Sequence, residues 1–181
     1  MKKSKRTLTS VSKERFEKAI DVYFLWKELD KELRLLSGKR GINLPSEITE
    51  VLVAYVFGYK ICEEGSGDIV DDSSGEEKVV EVKGASSTGP NSFSPSEHYD
   101  KLIFINLENR EDDIFKIYDT GLNSDDIGKV KVNKTETVAD QQKQGRRPRF
   151  KIPEFLNEKK ITYSYEINMK EKTITPNSDL K

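Results

Sequence analysis

With 181 residues, 34% of them hydrophobic and 35% charged, the chain suits one soluble domain with a real core rather than a disordered segment. Its longest uncharged apolar run, Val51 to Tyr59, falls far short of the roughly 20 residues a membrane helix needs, and the basic start MKKSKR leads into no apolar stretch, so neither a membrane span nor a secretory signal is expected. Acidic and basic residues nearly cancel, at 32 and 31, but they separate along the chain: residues 62–81 are almost wholly acidic in their charge and residues 129–151 almost wholly basic.

The first expected element is a long helix from Ser12, a capping residue, to Ser37, with Gly38 as its stop. Ala19, Val22, Trp26, Leu29, Leu33 and Leu36 recur at spacings of three and four, a narrow seam suited either to packing on the domain or to a partner helix. The basic tail and this helix form one division, residues 1–40, ahead of a main domain over 41–181. A second helix is expected from Ser46 to about Tyr59, with Ser46 as cap and Glu50 the odd residue on a broad apolar face. The period then shortens to two. Asp68-Ile69-Val70, a turn over Asp71–Gly75, and the alternating strand Lys78–Lys83 read as a hairpin. Residues 84–95 read as a loop, Lys101–Asn106 as a central strand and Asp113–Asp119 as another. Residues 121–128 look turn-like, and a basic segment over 128–151 follows. A short helix over Pro153–Lys159 and a closing hairpin over Ile161–Asn168 and Lys172–Thr175 complete a mixed α/β chain.

Two constellations carry chemistry. Glu81 and Lys83 sit two apart in a strand and share a face, while Val80 and Val82 point the other way, into the core. The hairpin brings Asp68 alongside Glu81, with Asp71 and Asp72 as alternatives in the turn. One Cys and one His exclude a structural zinc site, and the lone Cys62 excludes an internal disulfide and fits a reducing cytoplasm. Any metal is therefore held by oxygen, which suits magnesium, and the Val82 carbonyl adds a further oxygen. An Asp, a Glu and a Lys around such an ion are the minimal kit for phosphodiester hydrolysis. The bland reading is an amphipathic hairpin whose exposed face happens to carry these charges, in a DNA-binding module without catalysis.

The second constellation is the basic segment. Gln141, Gln142, Gln144, Arg146, Arg147 and Arg149 match the side chains that read adenine and guanine edges, and Lys129, Lys131, Lys134 and Thr135 suit phosphate contacts. A flexible basic loop of nonspecific affinity is the alternative.

Glu50, Gly67-Asp68, Glu81-Val82-Lys83-Gly84-Ala85-Ser86, Tyr99–Phe104 and Asp140–Pro148 occur in an order that resembles the small Type II restriction endonucleases that cut at GCNGC and related sequences. The resemblance covers about Ile42 to Phe155 and leaves the N-terminal helix outside. It implies a PD-(D/E)xK fold, with a central mixed sheet flanked by helices, and an Mg2+-dependent nuclease acting on double-stranded DNA. Asp68 and Glu81 would hold metal, Lys83 would orient or activate water, Glu50 would be an auxiliary acid, and Ser86 would join the DNA-contacting set. It also implies a dimer, of identical or diverged chains, and a cognate DNA methyltransferase in the same cell. Gly67 stands where the superfamily has its proline, a residue that does no chemistry. A nuclease of the same fold serving repair or mobile elements is the neighbouring reading.

Overall fold

The computed structural model describes residues 7–38, 41–64 and 67–179; the basic tail over 1–6 lies outside the described residues. Strand β1 (Thr7–Ser10) precedes helix α1 (Lys13–Ser37), which begins where expected because the Ser12 side chain accepts the backbone N–H of Arg15 at 3.2 Å. Gly38, at φ 71°, closes it. The buried face shares only Ala19 and Trp26 with the expected seam. Phe16, Ala19, Ile20, Tyr23, Trp26 and Asp30 face inward, while Val22, Leu29 and Leu36 are 37%, 52% and 85% exposed. The aromatic face wins because its polar tips find partners. Tyr23 Oη donates to Asp113 Oδ1 at 2.7 Å, Trp26 Nε1 donates to the Asn43 carbonyl at 3.0 Å, and Asp30 accepts the Ile42 N–H at 2.8 Å.

Helix α2 (Ser46–Phe57) packs beside α1. Ser46 is its first helical residue rather than its cap, because Pro45 occupies the cap position and makes no side-chain bond. Gly58, at φ 72°, ends it before Tyr59. The strands that follow are β2 (Lys60–Glu64), β3 (Ile69–Asp71), β4 (Lys78–Ala85), β5 (Asn91–Ser92), β6 (Lys101–Asn109) and β7 (Ile114–Asp119). Then come α3 (Ser124–Gly128), α4 (Val138–Lys143), β8 (Arg149–Phe150), α5 (Ile152–Lys159), β9 (Tyr165–Asn168) and β10 (Thr173–Pro176). Helices α3 and α4 lie where the sequence suggested turns and a loop. Each is held by a reciprocal capping box, Asn123 with Asp126 and Thr137 with Asp140.

Among the described residues, eight strands form one mixed sheet in the order β1-β2-β3-β4-β6-β7-β9-β10, with β4 and β6 parallel and the other pairs antiparallel. Strand β6 runs through the middle and is buried on both faces. Ile103 and Ile105 join α1 and α2 in one core; Leu102 and Phe104 join α3, α4 and α5 in the other. A separate two-stranded ladder pairs β5 with β8. Of the two alternative acids, Asp71 bonds Ser73 within the turn and Asp72 pairs with Lys60, so both are engaged away from β4's acidic face.

Candidate active site

Strand pairing sets the site. Ile69 faces Val80 and Val70 faces Val79, so Asp68, in the bend one residue ahead of β3, lies beside Glu81. Asp68 Oδ2 accepts the Val82 backbone N–H at 2.9 Å, and its side chain also hydrogen-bonds that of Glu81. The period-two reading of β4 holds. Val80 and Val82 are 0% and 5% exposed in the core, whereas Lys83 Nζ reaches Glu81 Oε1 at 2.6 Å on the opposite face. Lys83 Nζ also donates to Glu97 Oε1 at 3.0 Å and sits 5.2 Å from the centre of the Phe93 ring. From the other side, α2 contributes Glu50. A cavity of about 330 Å³ is lined by Glu50, Asp68, Glu81 and Lys83 together, with Ser46, Thr49 and Asn91 at its walls.

Burial dominates the electrostatics. It raises Glu81 to about 7, with the Asp68 charge adding to the rise and Lys83 opposing it. Glu50 also reaches about 7, first through burial and then through Asp68. Asp68 is raised by burial against the pull of the Val82 N–H. Burial works against the Lys83 ammonium, but Glu81 and Glu97 outweigh it and hold its pKa above the usual lysine value.

These shifts fix a sign for metal-free protein. A carboxyl whose pKa rises from 4.5 to about 7 on folding binds its proton more tightly in the native state. The associated stability is present below pH 4.5 and is lost as pH rises through 7. Glu81→Gln should therefore be more stable than wild type at pH 8, by about 1–3 kcal/mol, and nearly equal to it at pH 5. Urea unfolding at both pH values measures this; the same difference at each would contradict it.

The basic segment is fastened to the rim of this cavity. Strand β8 pairs Arg149 with Ser92 and Phe150 with Asn91, the Phe93 N–H donates to the Pro148 carbonyl at 3.0 Å, and Gln142 Nε2 donates to the Ser94 carbonyl at 2.8 Å. A neighbouring cavity of about 380 Å³ shares Gly84, Asn91 and Ser92 with the first and adds Ser86 and Arg149. The two adjoin, and Arg149 brings the basic segment to the second of them. Gln144, Arg146 and Arg147 are exposed, while Gln141 is buried with its amide donating to Glu136 Oε2 at 3.0 Å. Lys129, Lys131, Lys134 and Thr135 line neither cavity; Lys129 pairs with Asp126, and Thr135 bonds Asn133.

Two residues at the site escaped the sequence reading. Glu97 holds Lys83 and keeps Oε2 buried without a partner among the described residues. Asn91 donates to the Gly84 carbonyl at 3.1 Å and keeps a buried Oδ1 likewise unpartnered. Both lie in or beside the Gly-, Ser- and Pro-rich loop, where no periodicity marks them.

Among the described residues, no group of three or more His, Cys, Asp or Glu side chains is arranged to hold a metal ion. The two carboxyls that lie side by side are Asp68 and Glu81, each pushed up by burial and Glu81 further by its neighbour's charge. Two crowded carboxylates suit a small divalent cation that keeps several of its waters.

Comparison with known proteins finds that the family model for the Bsp6I restriction endonuclease matches residues 11–159. A Type II restriction enzyme, Bsp6I, from Bacillus sp. (strain RFL6) is 43% identical over 150 residues, spanning 82% of this chain and 84% of that protein. No solved structure matches the chain. Because the family match begins at residue 11, it takes in α1, which the sequence resemblance left outside.

Proposed function

The chain belongs to the Bsp6I restriction endonuclease family, and from that premise we propose that it cuts both strands of DNA at a short GC-rich near-palindrome of the GCNGC type, using Mg2+ held by Asp68 and Glu81. The observation that carries this reading is the single cavity that gathers Glu50, Asp68, Glu81 and Lys83, with the basic segment along its rim. Mg2+ bound there would polarise the phosphate and lower the pKa of a coordinated water. The residues divide the remaining work. Lys83, kept protonated by Glu81 and Glu97, places a positive charge where water attacks and does not itself remove the proton. Glu50, at about 7, is able to take up or release a proton near neutrality as the auxiliary acid. Asp68 is oriented by the Val82 N–H, which leaves its other oxygen for the metal.

Residues 41–181 form the nuclease portion, with 128–151 reading the DNA. Residues 1–40 add the tail and α1, whose outward Leu25, Leu29 and Leu36 support a dimer, since a near-palindrome needs two sites related by a twofold axis. A cognate methyltransferase would protect the host's own copies of the site. No helix among the described residues is long and apolar enough to cross a membrane; cutting DNA inside the cell would place the protein in the cytoplasm. The test is digestion of a large plasmid with Mg2+ and sequencing of every new end. Ends falling at one short GC-rich sequence are expected; ends scattered without a shared sequence would overturn the reading.

A further inference from the structure

The basic segment contains two acidic side chains, Asp140, engaged in the capping box of α4, and Glu136. Both oxygens of Glu136 are occupied by side-chain donors. Oε2 accepts from Asn133 Nδ2 at 2.8 Å and Gln141 Nε2 at 3.0 Å; Oε1 accepts from Gln144 Nε2 and from Arg146 Nη1, each at 3.1 Å. Arg146 Nη1 also donates to Gln144 Oε1 at 3.1 Å, so Glu136, Gln144 and Arg146 close a triangle. The backbone supports it. Asn133 Oδ1 accepts the N–H groups of Thr135 and Glu136, which tightens the turn that aims the carboxylate. Gly145, at φ 72°, turns the chain after α4 so that the Arg146 N–H reaches back to the Gln141 carbonyl at 3.0 Å. These donors hold the Glu136 carboxyl at about 2, so it stays charged at any working pH.

A carboxylate is a poor direct contact for phosphate and reads only cytosine among the bases, so its place amid Gln and Arg calls for another role. Among the described residues, the side-chain hydrogen bonds of Arg146 all leave from Nη1. Nη2 and Nε remain, and that edge of the guanidinium has the two parallel donors a guanine O6/N7 edge accepts. We propose that Glu136 is the positioning residue of sequence recognition: it clamps Arg146 and Gln144 so that the free edge of Arg146 is presented to a guanine. Without the clamp, a long exposed arginine samples many rotamers, and the contact would have to order it at binding. This inference rests on the reading of 128–151 as the recognition segment.

The experiment measures single-turnover cleavage of the cognate duplex and of duplexes with each base pair replaced in turn, for wild type, Glu136→Gln and Arg146→Ala. Glutamine keeps the shape of Glu136 but accepts through one oxygen and carries no charge. Glu136→Gln is expected to lose discrimination at one G·C pair by roughly 5- to 140-fold, the worth of one bidentate base contact. That pair should be the one at which Arg146→Ala also loses it, and the double variant should lose little more than either single one. The salt dependence of nonspecific binding should not change, because no phosphate contact is removed. A Glu136→Gln protein that discriminates like wild type, while Arg146→Ala does not, overturns the clamp and leaves the recognition segment standing. An Arg146→Ala protein with full discrimination at every position removes the recognition reading and the clamp with it. Should Glu136→Gln fail to fold, Asn133→Ala withdraws one donor from the carboxylate without touching Arg146. A smaller loss at the same base pair is then expected, and no loss overturns the proposal.

Discussion

Cleavage by Glu81→Ala is expected to fall by at least about 10³-fold, with binding to the cognate duplex in Ca2+ changed by no more than about threefold. Three consequences add up in one substitution. The pair Asp68–Glu81 would lose half of the oxygen donors proposed for the metal. Asp68 loses the neighbour that it hydrogen-bonds, so only the Val82 N–H fixes its orientation. Lys83 loses its 2.6 Å partner, keeps only its bond to Glu97, and would be displaced from the place proposed for the attacking water. None of these groups lies in the 128–151 segment, so affinity should survive. Single-turnover cleavage beside a calcium gel shift separates the two. A variant retaining activity within tenfold of wild type would show that Glu81 is part of an amphipathic hairpin and not of the chemistry.

The largest loss of stability is expected at Asp30. Its side chain is fully buried, at 0% exposure, and it joins three parts of the molecule. Arg34 Nε donates to it at 2.8 Å from its own helix, Arg110 from the turn between β6 and β7, and the Ile42 N–H at 2.8 Å from the connector into α2. Burial alone would raise its pKa, but these three donors hold it below the usual carboxylate range. The connector also approaches so closely at Gly41 that a Cβ there would collide with the Asp30 carboxylate. Asp30→Ala leaves two guanidinium groups and a backbone N–H without their acceptor. Breaking a buried pair from one side typically costs about 3–5 kcal/mol, and that is the expected loss. Urea unfolding with an unchanged m-value would measure it. A loss below about 1 kcal/mol would mean that water replaces the carboxylate without penalty.

Asp30 also shows where a sequence stops being legible. Helix α1 was recognisable from Ser12 and Gly38, because capping is local chemistry. Its buried face was recognisable only at Ala19 and Trp26, because the rule of apolar recurrence selects Val22, Leu29 and Leu36 over an aspartate. What reversed that choice lies about 80 residues away, in Arg110 and Asp113. The β4 strand was readable for the opposite reason: alternation alone puts Val80 and Val82 inside and Glu81 and Lys83 together outside. Asp68 could be placed beside Glu81 because a short hairpin has few registers. Glu97 and Asn91 had no such handle, since a loop without a period gives no face, and only the folded chain brings Glu97 to Lys83. Glu136 is visible in the sequence only as one of two acids in an otherwise basic segment. Its role as the acceptor at the centre of that segment depends on α4, which six residues of mixed polarity did not announce.

Asp68 and Glu81 are the residues proposed to hold the divalent ion used for cutting. Calorimetric titration of Mn2+ into the protein bound to a cleavage-resistant cognate duplex tests that role most directly, comparing wild type with Asp68→Asn. Loss of a carboxylate ligand is expected to weaken metal binding by at least about 10-fold, with the duplex still bound. Equal metal affinity in the two proteins would place the ion elsewhere.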